Sequence, residues 1–123
     1  MASNRHFRFG PIALTTLMTT NILNPPTSAG GVNAGALPKY IVLKHIRIVN
    51  KTALAASFSL WLGATGANAA GTEFIGTAVS VPANSAYDWY SAGVRLDIAD
   101  FLVGGAGTTL ALTITGSGEI GVA

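Results

Sequence analysis

The chain has no cysteine, so neither a disulfide nor a thiolate metal site contributes to its fold. Charge is scarce as well. Only 10% of the 123 residues are charged, against about 25% in an ordinary soluble domain. Histidine occurs twice, at His6 and His45. The two are far apart and have no carboxylate cluster nearby, which argues against a metal site. No stretch reaches the ~20 consecutive apolar residues of a membrane-spanning helix, so no membrane partner is expected. No window of about 10–12 residues keeps a 3.6-residue apolar period, which disfavours helices.

Catalytic patterns are missing in the same way. Asp97 and Asp100 stand where a strand should end and read as a solvated turn; a glycosidase pair would need a cleft and a raised pKa. Ser57, Ser59, Ser80 and Ser85 have no nucleophile elbow around them. The glycine-rich stretches 63–71 and 104–107 lack the lysine and following helix of a phosphate loop. No enzymatic activity, cofactor or metal is expected. Arg5, His6 and Arg8 precede an apolar stretch from Pro11, as in a secretory signal. Thr15, Thr16, Thr19, Thr20 and Asn21 break that stretch, so a signal is not expected.

What the chain has in quantity is small apolar residues, with 15 glycines among them. Burial stabilises by about 25 cal/mol per Å² of apolar surface, and alanine and glycine supply little area. The backbone entropy cost of about 1–2 kcal/mol per ordered residue is unchanged. Together with the sparse surface charge, this favours an obligate homo-oligomer or a protein ordered on a partner. The charge is also unevenly laid out. Residues 1–51 carry Arg5, Arg8, Lys39, Lys44, Arg47 and Lys51 and no acid, whereas residues 52–123 carry Glu73, Asp88, Asp97, Asp100 and Glu119 against Arg95 alone. A basic leading part beside an acidic body suits head-to-tail contacts between copies, or docking of the arm on an acidic neighbour. The basic residues form no run and match no nucleic-acid-binding module, so no nucleic-acid partner is expected.

The leading segment, residues 1–38, reads as an extended N-terminal arm and a Pro/Gly-rich linker. Residues 11–23 have the composition of a single extended, threonine-rich strand, and Pro25, Pro26, Gly30, Gly31, Gly35 and Pro38 mark the linker. Extended at about 3.3 Å per residue, such an arm would reach roughly 120 Å. Arg5, Phe7, Arg8, Phe9, Ile12, Leu14 and Leu17 are the side chains it would lay on a neighbouring subunit.

Residues 39–123 read as the body. Strands are expected over 40–50, 57–63, 73–75, 77–82, 87–90, 94–98 and 108–115, with a helical turn or loop at 99–105. Turn signals every 8–12 residues or so between short alternating strands indicate an all-β, antiparallel β-sandwich of jelly-roll type. Phe58, Leu60, Leu62, Ile46, Ile48, Leu96, Ile98, Leu110, Leu112 and Ile114 form the expected core. The aromatic residues Trp61, Tyr87, Trp89 and Tyr90 are the site-like feature. By alternation Trp61 falls on the face opposite Phe58, Leu60 and Leu62. Trp61, Trp89 and Tyr90 are expected at an intersubunit interface, with core packing and stacking on sugar rings as the alternatives.

Several segments of the body carry a resemblance: His45-Ile46-Arg47-Ile48-Val49-Asn50-Lys51-Thr52, Ser59-Leu60-Trp61-Leu62-Gly63, Val81-Pro82-Ala83-Asn84-Ser85, Arg95-Leu96-Asp97 with Asp100-Phe101-Leu102, and Gly118-Glu119-Ile120-Gly121-Val122. Their order of strand, Asn turn, strand, Pro-Ala-Asn turn, strand resembles small β-sandwich structural proteins of tailed bacteriophages, of the head decoration or tail accessory type. The resemblance covers about the last two thirds of the chain. It implies a capsid decoration (cement) protein in the virion, assembled in the host cytoplasm, with a trimer or other homo-oligomer and the major capsid protein or other virion subunits as partners. The alternatives are a tail- or fibre-associated protein of the same fold and a carbohydrate-binding adhesion module. The resemblance supplies no catalytic residues.

Overall fold

Alternation of apolar and polar residues drives most of the chain into strands, and the computed structural model pairs them into two four-stranded sheets that form a β-sandwich. It describes residues 4–24, 38–63, 72–97, 100–108 and 110–122. The strands are β1 (Asn4–Ala13), β2 (Asn21–Leu23), β3 (Pro38–Asn50), β4 (Ala56–Gly63), β5 (Glu73–Val81), β6 (Ser85–Asp97), β7 (Phe101–Ala106) and β8 (Leu112–Val122). Sheet A has the order β1-β8-β3-β6 and sheet B the order β2-β7-β4-β5. All pairings are antiparallel. Strands thus pair 1 with 8, 2 with 7, 3 with 6 and 4 with 5, as in a long two-stranded ribbon wrapped on itself. Contacts of β8 with β3 and of β7 with β4 join its layers into sheets.

The core lies between the sheets. Ile41, Leu43, Ile46 and Ile48 of β3, Leu96 of β6, and Leu112, Ile114 and Ile120 of β8 meet Phe58 and Leu60 of β4, Val81 of β5 and Leu102 of β7. Most of the core expected from alternation is therefore buried, and Leu62 packs partly against it. Ile98 lies outside the described residues. Leu110 is a correction: it is 66% exposed. It shares parity with Leu112 and Ile114, but it sits at φ 62° in the turn before β8, where alternation does not apply.

The leading segment departs most from expectation. It does not reach away from the body but forms the edge of both sheets. β1 pairs with β8 from Asn4–Gly121 to Ala13–Thr113. The chain then crosses to sheet B at Leu14, whose N–H donates to the Leu112 carbonyl and whose carbonyl accepts from Leu110 N. Residues 15–23 run along β7: Ala106 N–H donates to Thr15 O, Gly104 N–H to Thr20 O, and β2 completes the pairing. The physical reason lies in β8, where the inward positions run Ile114, Gly116, Gly118, Ile120. Phe7 and Phe9 lie opposite Gly118 and Gly116 with rings 6.2 Å apart; the Phe9 ring takes the space a side chain at Gly116 would need, and the Val42 carbonyl that at Gly118. A Cβ at Gly116 would run into the Phe9 ring. The boundary expected at residue 38 thus cuts through both sheets. The expected linker, 25–37, lies outside the described residues.

Strand β7 replaces the helical turn or loop expected at 99–105. Its glycines read as turn signals, yet they permit close backbone approach: the position of a Cβ on Gly105 is taken by the Thr15 and Leu17 carbonyls and the Met18 sulfur. Two expected strand breaks are bulges within longer strands. Along β4–β5 the register passes from Phe58–Val79 to Leu60–Phe74, looping out residues 75–78. Ile75 and Ala78 there take φ 75° and 51°, and Ser59 Oγ accepts the Ala78 N–H at 2.8 Å. Along β3–β6 it passes from Leu43–Val94 to His45–Tyr90, with Gly93 in the bulge.

Asn50 ends β3 fully buried and ties three segments together. Its side-chain amide donates to Leu54 O (2.9 Å) and Val81 O (3.1 Å), while its oxygen accepts from the backbone N–H and hydroxyl of Thr52 (2.9 and 2.7 Å). The Pro82-Ala83-Asn84-Ser85 segment is a turn, with Asn84 at φ 53° and its N–H donating to Thr52 O.

Candidate interaction surface

The two sheets differ in what they offer on their outer faces. Arg5, Arg8, Lys39, Lys44, Arg47 and Arg95 all lie on strands of sheet A, as do Asp88, Asp97 and Glu119. Glu73 is the one charged residue on the strands of sheet B. The uneven charge along the sequence therefore becomes one charged sheet and one nearly uncharged sheet.

On sheet A the pleat turns His45 and Arg47 of β3 and Asp88 and Tyr90 of β6 away from the core, and register pairs His45 with Tyr90 and Arg47 with Asp88. The His45 and Tyr90 rings stack with centroids 4.6 Å apart and planes 18° from parallel. His45 Nε2 lies 2.9 Å from Asp88 Oδ1, and Arg47 reaches the other carboxylate oxygen at 3.7 Å. Farther along, Lys44 meets Glu119 at 3.3 Å. The Arg95 guanidinium lies 4.1 Å from the centre of the Tyr40 ring and bonds Asp97 at 2.7 Å. Exposed ion pairs each contribute about 0–1 kcal/mol, so this network shapes a surface more than it stabilises the fold. Asp97 and Asp100 close a turn on each other: Asp97 N–H donates to Asp100 Oδ2 and Asp100 N–H to Asp97 O. Among the described residues no three His, Asp or Glu side chains cluster as a metal site would require.

The structure disperses the residues expected at an assembly interface. Arg5 and Arg8 are exposed on β1 and Leu17 is 62% exposed. Phe7, Phe9 and Leu14 are buried within this chain, and Ile12 packs partly against the core. These last four therefore serve their own domain, because the glycines of β8 and the open edge of β7 need them. Trp61, expected on an exposed face, is 9% exposed. With its cross-strand partner Val103 it lies outside the core cluster, so it is on the face expected but not open to solvent. Trp89 turns inward and meets Phe74 edge-to-face at 4.9 Å. Tyr90, its neighbour in sequence, points outward and is 73% exposed. The three aromatics thus form no common platform. The pairing of His45 with Asp88 and Tyr90 has one signal in the sequence: two strands with polar or aromatic residues on the same alternate positions. Its register depends on the bulge at Gly93, which alternation does not reveal.

Comparison with protein-family models and with curated proteins gives no match.

Proposed function

We propose that this chain is a structural component of a bacteriophage virion, a decoration protein that coats the head as a homo-oligomer, and that its sandwich is a jelly roll. The observation that carries the reading is the strand pairing 1–8, 2–7, 3–6 and 4–5 across two four-stranded sheets. That is the pattern of a rolled-up ribbon, an architecture common in viral capsid and lectin domains. The likeness of the body to small phage β-sandwich proteins supports the same reading, as does a surface so poor in charge.

Attachment follows a different route from the one the sequence suggests. Releasing residues 4–24 as an arm would expose Phe7, Phe9, Leu14, Ile22 and Leu23. At roughly 1.5–3 kcal/mol for each large side chain, that cost is of the order of a whole domain's stability. The folded surfaces, not a freed arm, make the contacts. The test is immunogold electron microscopy on virions of the phage that carries the gene. Label on the heads supports the proposal, label confined to tails supports the tail-associated reading, and unlabelled virions overturn both.

Exposed Tyr90, stacked on His45 beside Asp88 and Arg47, favours a second reading in which the same face binds glycans. Stacked aromatic rings and nearby carboxylates are groups that sugars use. A glycan array on which the protein binds and Tyr90→Ala does not would support it. No binding would remove it.

A further inference from the structure

We infer that copies of this chain join head to tail through the two free edges of sheet A, β1 of one copy adding to β6 of the next. The inference rests on the assembly reading above and names the contact it requires. Each edge strand has only one neighbour in the sheet, β8 for β1 and β3 for β6. Every pairing between them is antiparallel, so β1 and β6 run in opposite directions. Placing a second copy in the same orientation beside the first therefore continues the antiparallel alternation across the junction.

Three further observations set the register. Both edges offer a regular stretch before a bulge, 4–9 in β1 and 85–90 in β6, of which residues 6–9 and 87–90 can face each other. Faces match only if outward residues meet outward ones. Setting Arg8 opposite Asp88 satisfies this: His6 then falls opposite Tyr90 on the outer face. On the inner face, Phe7 falls opposite Trp89 and Phe9 opposite Tyr87, so aromatic residues meet aromatic residues. The charges also fit. β1 carries Arg5 and Arg8 and no acid, while β6 carries Asp88 and Asp97 against Arg95. Arg8 makes no ion pair among the described residues. Main-chain hydrogen bonds along the edge supply affinity, and the Arg8–Asp88 pair fixes which edge meets which. A contact between two different edges is heterologous and closes into a ring of three or more copies or continues as a filament.

Charge reversal tests this directly. In sedimentation velocity the native chain is expected to run as an oligomer of its 12.5 kDa unit. Arg8→Glu alone and Asp88→Lys alone each fall to the monomer, since every junction then sets like charges together. An equal mixture of the two forms oligomers again, because each junction between unlike copies is complementary; alternating copies close only into rings of even number or extend as filaments. Circular dichroism confirms that each variant is folded. A second test uses the absence of cysteine. Arg8→Cys with Asp88→Cys, oxidised and run on a non-reducing denaturing gel, gives a ladder of multimers, whereas each single substitution gives at most a dimer. A native chain that is monomeric throughout, single variants that keep the native mass, a mixture that stays monomeric, or no ladder would each overturn the junction. Labelled virion heads alongside any of those results would leave the virion reading standing without it.

Discussion

Phe9 and Gly116 behave as one unit although 107 positions separate them. The glycine leaves a gap in the inner face of β8 and the ring occupies it. Phe9→Ala is expected to cost about 3–5 kcal/mol, the range for emptying a buried aromatic site, measured by urea unfolding. Gly116→Val pushes a side chain into the ring and should cost about 1–3 kcal/mol. Combined, the two substitutions should cost less than their sum, because the valine then enters space the ring has left. Strict additivity would mean that the two residues do not touch. Asn50 is a second residue with consequences beyond its size. Asn50→Ala leaves the Thr52 N–H and the Val81 carbonyl without their partner and should cost about 2–4 kcal/mol on the scale of lost buried hydrogen bonds. A thermal melt unchanged by that substitution would contradict the role given to it.

At the level of elements, the strands with a plain two-residue period were legible from the sequence. Ile46 and Ile48 of β3 and Phe58 and Leu60 of β4 sit in the core as their alternation predicts. The bulges were half-legible: Gly76 and Gly93 mark the right places, but they read as strand ends when pairing in fact resumes beyond them. Strand β7 was hidden because Gly104-Gly105 resembles a turn until the segment that packs on it is known. β1 was hidden more deeply. Its two phenylalanines stand among basic residues, and their register partners are glycines at the far end of the chain, which have no local signature. Leu110 shows the opposite error, good alternation with no strand beneath it. Leu110→Lys is therefore expected to change stability by less than about 0.5 kcal/mol, whereas Leu112→Ala, two residues on, should cost about 2–5 kcal/mol. Equal costs for the two in denaturant unfolding would place the start of β8 wrongly.

For the whole molecule, the decisive feature is how one stretch of chain closes two sheets. Residues 4–13 shield the edge of β8, Leu14 crosses the gap, and residues 15–23 shield the edge of β7. Without them both sheets would present a long unpaired edge, which invites aggregation, and the core would lose Phe7, Phe9, Leu14, Ile22 and Leu23. Sheet A keeps two free edges, β6 on the opposite side and the outer side of β1, and these are the edges the proposed junction uses. The charged outer face of sheet A and the nearly uncharged strands of sheet B give the molecule two unlike surfaces. The most direct test of this account is thermal unfolding of a chain lacking residues 1–24, followed by near-ultraviolet circular dichroism. The account predicts that the truncated chain loses its cooperative transition and its fixed aromatic signal. A truncated chain that melts at the native temperature with the native signal would contradict it.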